Sequence, residues 1–249
     1  MTALRFDDVS KSFDGRPVLD GLNVSIEAGQ IVGLIGDNGA GKTTFLRLAA
    51  RILTPTAGRV VVFGAEDPLM IRRRLGASLE RPGHYDELTV SENLRFFYSF
   101  YADAKAPVDD LVRASLEQFQ LASVGDRAVG RLSTGNRQRL AIARALHPWA
   151  DLVLLDEPLE SLDPIARAQA KQHFLASKAE GRTLIVSSHT LSDLAQICDR
   201  LILIADGHTR EFPSFDAIRA MLGADESAVD LDVLYARMRQ RQIADRGVH

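Results

Sequence analysis

The hydrophobic and polar positions near the start of the chain alternate in a way that predicts β-strands. The segments ALRFDDV and LNVSIEAG place an apolar side chain at every second position, as half-buried strands do. GRVVVFG, at residues 58–64, shows the same alternation between two glycines. We expect these segments to form a small antiparallel sheet.

Later segments are apolar at almost every position, which is typical of strands buried on both faces of a sheet. These segments are QIVGLIG at 30–36, DLVLLD at 151–156 and TLIVSSH at 183–189. Helical patterns separate them, beginning with TTFLRLAARIL, where Phe45, Leu48, Ala49 and Ile52 recur at helical spacing. This order predicts parallel βαβ units and therefore an α/β fold.

The middle of the chain, roughly residues 90–129, carries no strand pattern. SENLRFFYSFYADA and PVDDLVRASLEQFQL predict helices, which we interpret as a helical sub-domain inserted into the α/β core. Further on, Asp206 and Gly207 lie between apolar runs and predict a hairpin. Apolar positions between 231 and 238 predict a helix in the C-terminal tail.

Composition narrows the functional classes. The chain has 249 residues, of which 46% are hydrophobic, and can bury a substantial core. Its net charge of -3 gives no electrostatic reason to expect a nucleic-acid partner. Cys198 is the only cysteine, which fits a reducing compartment. We expect neither a signal peptide nor a membrane-spanning helix, because no apolar run approaches about 18 residues; docking onto a membrane protein stays open.

A phosphate-binding pattern lies between the first buried strand and the helix that follows. GDNGAGKT fits G-x-x-x-x-G-K-[ST], in which glycines let backbone N–H groups approach phosphate oxygens. Lys42 would bring positive charge to the β- and γ-phosphates, and the Thr43 hydroxyl would ligate Mg²⁺. The alternative is a glycine-rich turn with a nearby lysine, which the flanking strand and helix disfavour.

Polar residues also follow the other two buried strands. Asp156 ends LVLLD, and the carboxyl ends of parallel strands share the sheet edge where the phosphate loop lies. Glu157 comes next and points in another direction, so we assign Asp156 to Mg²⁺ and Glu157 to polarising the attacking water. His189 ends TLIVSSH and could contact the γ-phosphate. The structural alternatives are an acidic turn and a structural histidine.

A second anion site is predicted far from the first in sequence. In LSTGNRQRLAIARAL, at 132–146, Ser133 lies at the start of a helical pattern, and Gly135 follows in the first turn. The free N–H groups and the dipole of a helix N-terminus attract anions. One chain would then carry two separate phosphate-binding sites.

These motifs, in this order, resemble the ATP-binding subunits of ABC transporters along the whole chain. GDNGAGKTT is similar to the family's Walker A loop, LVLLDE to Walker B, LSTGN to the signature loop, ESLD to the D-loop, and LTVSENL to the stretch after the Q-loop. Walker A alone is typical of any P-loop NTPase. The LSTGN signature after a helical insert is what identifies this family.

The resemblance implies one ABC ATPase domain over residues 1–249. Its fold would be a P-loop NTPase core with a parallel sheet, an N-terminal antiparallel β sub-domain and an inserted helical sub-domain. We expect the core and antiparallel sheet at about 1–87 and 150–212, the helical sub-domain at about 88–149, and a helical tail at about 213–249.

The resemblance also implies ATP and Mg²⁺ as ligands. Glu157 and His189 would be catalytic, while Thr43, Glu80 and Asp156 would hold the metal. The residues expected to bind ATP are Phe13, which would stack on adenine, and Val18, Asp37, Asn38, Gly39, Ala40, Gly41, Lys42, Thr43, Thr44, Ser133, Gly135 and Asn136.

Subunits of this family work as head-to-tail dimers, with each ATP between the Walker A loop of one copy and the signature loop of the other. The resemblance therefore implies a second copy of the chain as partner, which would explain the two anion sites. It also implies integral-membrane permease subunits and a peripheral location at the cytoplasmic face of the inner or plasma membrane.

The chain departs from the family pattern at a few positions. Glu80 replaces the usual Q-loop glutamine, and the signature has Thr134 and Asn136 in place of glycine and glutamine. The Glu80 substitution, within ERP and near a tyrosine, is similar to that in ATPases of exporters for bacitracin-like and lantibiotic peptides. Lys42, Asp156, Glu157 and His189 are all present, so we expect a working ATPase.

Two functions stay open. The leading one is the ATPase subunit of an ABC-2 type exporter, which the tail DLDVLYARM resembles; the alternative is a soluble non-transport ABC ATPase, such as an iron–sulphur assembly factor. A GTPase switch is disfavoured because no N-K-x-D motif occurs. The exporter subunit and the non-transport ATPase can be distinguished at residues 80–97 and just beyond. Apolar side chains there either receive a helix from a membrane subunit or form the core of the helical sub-domain. These side chains are Tyr85, Leu88, Phe96, Phe97 and Tyr98.

Overall fold

A computed structural model describes residues 1–79, 83–102 and 106–222, with side chains to residue 218. The predicted metal ligand Glu80 and the predicted tail helix near 231–238 lie outside the described residues. None of the helices within the described ranges is long and apolar enough to cross a bilayer.

The N-terminal half contains the predicted antiparallel sheet. It consists of β1 (Thr2–Phe13), β2 (Arg16–Glu27) and β4 (Ala57–Val62), in the order β2-β1-β4. Alternate side chains of β1, including Leu4 and Phe6, are buried as the pattern requires. The prediction from period-two alternation is therefore confirmed.

A second sheet forms the centre of the α/β fold. Its strands are β3 (Ile31–Ile35), β5 (Leu75–Ser78), β6 (Leu152–Leu155), β7 (Thr183–Ser188), β8 (Arg200–Ala205) and β9 (His208–Phe212). Their order is β5-β6-β7-β3-β8-β9, with β9 antiparallel to β8 and the other pairs parallel. Every residue of β3, β6 and β7 is buried, as the continuous apolar runs predict.

Helices cover this sheet and fill the middle of the chain. They are α1 (Lys42–Ala49), α2 (Pro68–Arg72), α3 (Val90–Ser99), α4 (Val108–Gln118), α5 (Thr134–Ala145), α6 (Pro164–Ala179), α7 (Leu191–Leu194) and α8 (Phe215–Leu222), with short 3-10 helices at Ala122–Val124 and Val129–Arg131. Helix α3 begins with a capping box, in which Thr89 and Glu92 satisfy each other's backbone N–H groups.

The sequence pattern extends α1 too far. Ile52 continues the helical spacing, yet the helix ends at Ala49 and Ile52 is 58% exposed. Arg51 adopts a left-handed φ of 54°, which stops the helix and lets the N–H of Ile52 bond to the carbonyl of Arg47 at 2.9 Å. The prediction for Ile52 is therefore wrong, because a backbone reversal overrides the apolar spacing.

The hydrophobic core lies on both faces of the central sheet. On one face, Phe6 of the antiparallel sheet packs on Phe45 of α1, with ring centroids 4.6 Å apart. On the other face, helices α3 to α6 pack against β3, β6 and β7. Helix α1 is thereby clamped between the two sheets, which fixes the loop that precedes it.

The end of α5 lies directly against β5. A Cβ atom added to Gly76 would lie 1.8 Å from the carbonyl oxygen of Ala145, far inside van der Waals contact. Glycine at this position lets the helix that carries LSTGN approach the sheet closely.

Replacing Gly76 with alanine should push α5 off the sheet. We expect the free energy of unfolding to fall by about 3 kcal/mol, the upper range for overpacking, as measured by urea denaturation. Gly64→Ala is the control, because Gly64 has open space around it but a φ of 77°, so backbone strain alone should cost about 1 kcal/mol. Equal losses in the two variants would contradict the close contact.

Candidate active site

A cavity of about 480 Å³ opens at the carboxyl edge of the central sheet, where β3, β6 and β7 end. Most residues predicted to bind ATP or metal line it, together with the predicted catalytic residue Glu157. They are Val18, Asp37, Asn38, Gly39, Gly41, Lys42, Thr43, Thr44 and Asp156. Ala40 lines an adjoining cavity together with Asp206 and Gly207. The strand ends therefore bring the two predicted motifs into one site.

The phosphate loop folds around the side chain of Lys42. Its Nζ donates to the carbonyl of Gly36 at 2.7 Å and to that of Asp37 at 3.2 Å, and the residue is 6% exposed. Gly41, at a φ of 108°, precedes α1 and packs so closely on Leu19 that a Cβ would lie 2.8 Å from its side chain. Only glycine fits there, and it leaves the N–H groups of the α1 N-terminus facing the cavity.

Asp156 connects the acidic strand end to the phosphate loop. Its Oδ2 accepts from the Thr43 hydroxyl at 2.6 Å, and its Oδ1 accepts from the Ser187 hydroxyl at 2.6 Å. A carboxylate and a hydroxyl are thus adjacent in the cavity. Mg²⁺ prefers hard oxygen ligands of this kind, usually one or two from protein together with substrate phosphates.

Glu157 lies between two cationic or potentially cationic groups. Its Oε1 is 3.3 Å from Lys42 Nζ, and its Oε2 is 3.1 Å from Nδ1 of His189. The side chain of Glu157 is 21% exposed and that of His189 is 46% exposed, so both are open to a ligand or water. The structure therefore brings together the lysine and both residues predicted to be catalytic.

The predicted signature residues lie elsewhere. Ser133 is the N-cap of α5 and accepts from the N–H of Asn136 at 3.3 Å. Ser133 is exposed, and neither it, Gly135 nor Asn136 is among the described residues that line the cavity. Phe13 also lies outside this lining; it is 42% exposed, with Lys11 Nζ 5.0 Å from its ring centroid. Their roles stay predictions.

Several residues at the site were not predicted from the sequence, among them Ser78, Leu79 and Gln138 in the cavity lining and Ser187. Gln138, on α5, lines the cavity and donates from Nε2 to the carbonyl of Pro158 at 3.0 Å. Ser187 bonds to both Asp156 and Glu157. The only sequence signal for Ser187 is a hydroxyl side chain near the end of β7, which also carries Thr183 and Ser188, and nothing in the pattern marks Gln138.

An exposed aromatic patch lies on and before α3; we define it as Tyr85, Phe96, Phe97 and Phe100. Ring centroids of successive neighbours, Tyr85 with Phe96 and Phe96 with Phe100, are 4.8 and 4.9 Å apart. Exposures of Tyr85, Phe96 and Phe100 are 44%, 37% and 65%. Tyr98, by contrast, is 1% exposed and belongs to the core.

The aromatic patch is held from beneath. The Arg144 guanidinium lies 3.3 Å from the Phe97 ring centroid and contacts Nδ1 of His84 at 2.9 Å. Burial, together with this guanidinium, lowers the pKa of His84 to about 4, so the imidazole is neutral near pH 7. Buried Asn93 donates to the carbonyl of Tyr85 and accepts from its N–H, both at 3.0 Å. The patch is therefore a rigid surface.

Comparison with known proteins agrees with this geometry. Residues 19–160 match the ABC transporter family. The bacitracin transport ATP-binding protein BcrA of Bacillus licheniformis is 36% identical over 88% of this chain and 72% of its own length. The Nod factor export ATP-binding protein I of Rhizobium meliloti (strain 1021) is 34% identical over 83% of this chain and 62% of its own length.

A solved structure shows the same fold. The ATP-binding subunit of an ABC transporter superposes with a TM-score of 0.86 at 28% identity, covering 95% of this chain and 99% of that one. This confirms the α/β fold with a phosphate loop, and the family match extends from β2 through the acidic end of β6. This protein therefore belongs to the ABC transporter family, as an ATP-binding subunit.

Proposed function

We propose that this subunit energises an exporter whose membrane-spanning subunits are separate chains. The observation that carries the proposal is one cavity in which the phosphate-loop lysine, Asp156 and Glu157 converge, on a chain that also presents a rigid aromatic patch. Relatives named for bacitracin transport and Nod factor export support export as the direction. The subunit would then lie peripherally at the cytoplasmic face of the membrane.

The residues present fit a magnesium ion. Thr43 and Asp156 would hold it beside the phosphates of ATP, and Glu80 is the third predicted ligand. The bound ion would supply positive charge to the phosphate oxygens. Lys42 would add a second positive charge, after exchanging its contact with Glu157 for phosphate oxygens.

Glu157 and His189 take different roles in hydrolysis. Glu157 would orient and polarise the attacking water, because its carboxylate is partly exposed in the cavity and lies next to the phosphate-loop lysine. His189 already contacts the Glu157 carboxylate and would also reach the γ-phosphate. Loss of that phosphate after hydrolysis would release the contact to phosphate and leave the contact to Glu157.

Glu157→Gln should still bind ATP but lose turnover, because the amide keeps the shape and loses the basic oxygen. We expect phosphate release to fall by at least about 100-fold, with the affinity for a fluorescent ATP analogue nearly unchanged. Glu117→Gln, an exposed carboxylate on α4, is the control and should behave as wild type. Near-normal hydrolysis by Glu157→Gln would remove Glu157 from its role.

The separate position of Ser133 supports a head-to-tail dimer. The α5 N-terminus is exposed and does not line the cavity of its own chain. In a symmetric pair, each chain would offer its α5 N-terminus to the ATP held by the other. The second anion site then completes the first one across the interface.

A mixing experiment tests the shared site. Ser133→Glu should bind ATP without hydrolysing it, and Lys42→Ala should not bind productively. A mixed dimer would contain one intact site, built from Lys42 of one variant and Ser133 of the other. An equimolar mixture should recover up to about a quarter of wild-type phosphate release. No recovery on mixing, or loss of ATP binding in Ser133→Glu, would contradict the shared site.

The aromatic patch fits a helix from a permease subunit. Exposed aromatic side chains on a rigid support are typical of interface anchors. Tyr98 belongs to the core, whereas Tyr85, Phe96 and Phe100 are open to a partner, which supports a docking role for the patch.

Phe96→Ser with Phe100→Ser should separate membrane association from ATP hydrolysis. We expect the amount of subunit that co-purifies with the membrane fraction of its own cells to drop at least tenfold, since two interface anchors are lost. Basal hydrolysis of the purified subunit should stay unchanged. Leu69→Ser, which removes an apolar side chain 70% exposed on α2, is the control. Undiminished co-purification would show that the patch is not the docking surface.

A further inference from the structure

Ser187 lies at the point where the two acidic residues of the active site meet. It is the fifth residue of β7 and is fully buried. Its Oγ accepts the backbone N–H of Glu157 at 2.9 Å and donates to Oδ1 of Asp156 at 2.6 Å. One hydroxyl therefore contacts both residues that the proposed mechanism uses.

The sheet order explains how a residue of β7 reaches this point. Strand β7 pairs with β6, which ends just before Asp156, and with β3, which leads into the phosphate loop. Position 187 is therefore between the two loops that build the cavity. A polar side chain here reaches the two acidic residues after β6 and, through Asp156, the phosphate loop.

The hydroxyl fixes the carboxylate of Asp156. A serine hydroxyl has one proton to donate, and here it goes to Oδ1. The Thr43 hydroxyl donates to Oδ2 at 2.6 Å. With a donor on each oxygen, the plane of the carboxylate is set, and Oδ2 stays beside the hydroxyl predicted to ligate Mg²⁺.

The same hydroxyl holds the backbone of Glu157 in an uncommon conformation. Glu157 has a φ of 46°, in the left-handed region that non-glycine residues seldom adopt. Such a conformation persists only where surrounding contacts impose it. The bond from its N–H to Ser187 is one such contact, and the resulting direction of the side chain puts Oε1 3.3 Å from Lys42.

We propose that Ser187 is a positioning residue for ATP hydrolysis, whose hydroxyl sets the carboxylates of Asp156 and Glu157 relative to each other. Ser187 is fully buried and is not among the described residues that line the cavity, so it would act only through the two acidic residues. This inference rests on the roles proposed above for Asp156 and Glu157. Without the hydroxyl, the N–H of Glu157 is unpaired, and its backbone can relax and carry the carboxylate away from the water.

Threonine and valine at position 187 separate the hydroxyl from side-chain volume. The two side chains have nearly the same shape and suit a strand, but only threonine keeps the hydroxyl. We expect Ser187→Val and Ser187→Ala to lower kcat about 10- to 100-fold, the cost of a misplaced catalytic group, with KM for ATP changed less than about threefold. Ser187→Thr should retain at least half of the wild-type kcat.

Nucleotide binding gives a readout independent of turnover. Affinity for a fluorescent ATP analogue at saturating Mg²⁺ should stay within about threefold of wild type in all three variants, because the phosphate loop is intact. A kcat loss shared equally by the threonine and valine variants would overturn the proposal, as would a loss of ATP affinity that accounts for the lower rate.

Thr183→Val is the matched structural control. Thr183 is on the same strand, fully buried, and its hydroxyl accepts the N–H of Gly29 at 3.0 Å. Removing it should lower the Tm about as much as Ser187→Val does, yet leave kcat unchanged. If Thr183→Val lowers kcat equally, the effect at 187 is merely structural and the proposal fails.

The outcome also separates this inference from the proposed function. Near-normal hydrolysis by Glu157→Gln would refute the role of Glu157 itself. An inactive Glu157→Gln together with a wild-type kcat for Ser187→Val would refute only the role of Ser187.

Discussion

The parallel pairing of β7 between β3 and β6 is the constraint on which the active site depends. Parallel strands in register end at the same edge, so the phosphate loop after β3, the acidic pair after β6 and the histidine after β7 become neighbours. The phosphate loop and the acidic pair are more than 100 residues apart in sequence, and Thr43 still reaches Asp156 at 2.6 Å. The fully buried strands fix this edge, and the polar residues that follow them are those proposed to carry out hydrolysis.

In the proposed site, Glu157 and the phosphates of ATP compete for the positive charge of Lys42. Lys42 is almost buried and contacts both backbone carbonyls and Glu157. A triphosphate offers this lysine a stronger partner, since charge-assisted bonds to phosphate are short and several oxygens are available. Binding would then release Glu157 toward water, so that the residue proposed to polarise the attacking water becomes available when ATP is present.

The fold could be predicted where the hydrophobic pattern is strong. Continuous apolar runs predicted β3, β6 and β7, and the Asp206-Gly207 turn predicted the β8–β9 hairpin. Strand β5 was not predicted, because LGAS is short and three of its four residues are small. Its position in the sheet depends on the packing of α5 against Gly76. Ile52 was wrongly assigned to helix α1, because the spacing of apolar residues gives no sign that residue 51 adopts a left-handed φ.

The site was predictable to the extent that motifs encode it. Lys42, Asp156, Glu157 and His189 lie as their spacing on strands and loops indicates. The role of Ser187 depends on contacts between different strands, which no local pattern reveals.

The central claim is that hydrolysis of one ATP needs two copies of the chain, since the α5 N-terminus is exposed and is not part of the cavity lining. Light scattering on the Glu157→Gln variant, with and without ATP and Mg²⁺, measures this most directly. The account predicts the mass of one chain without nucleotide, and twice that mass, with two ATP per pair, when ATP is present. A monomer that binds ATP at saturation would contradict it.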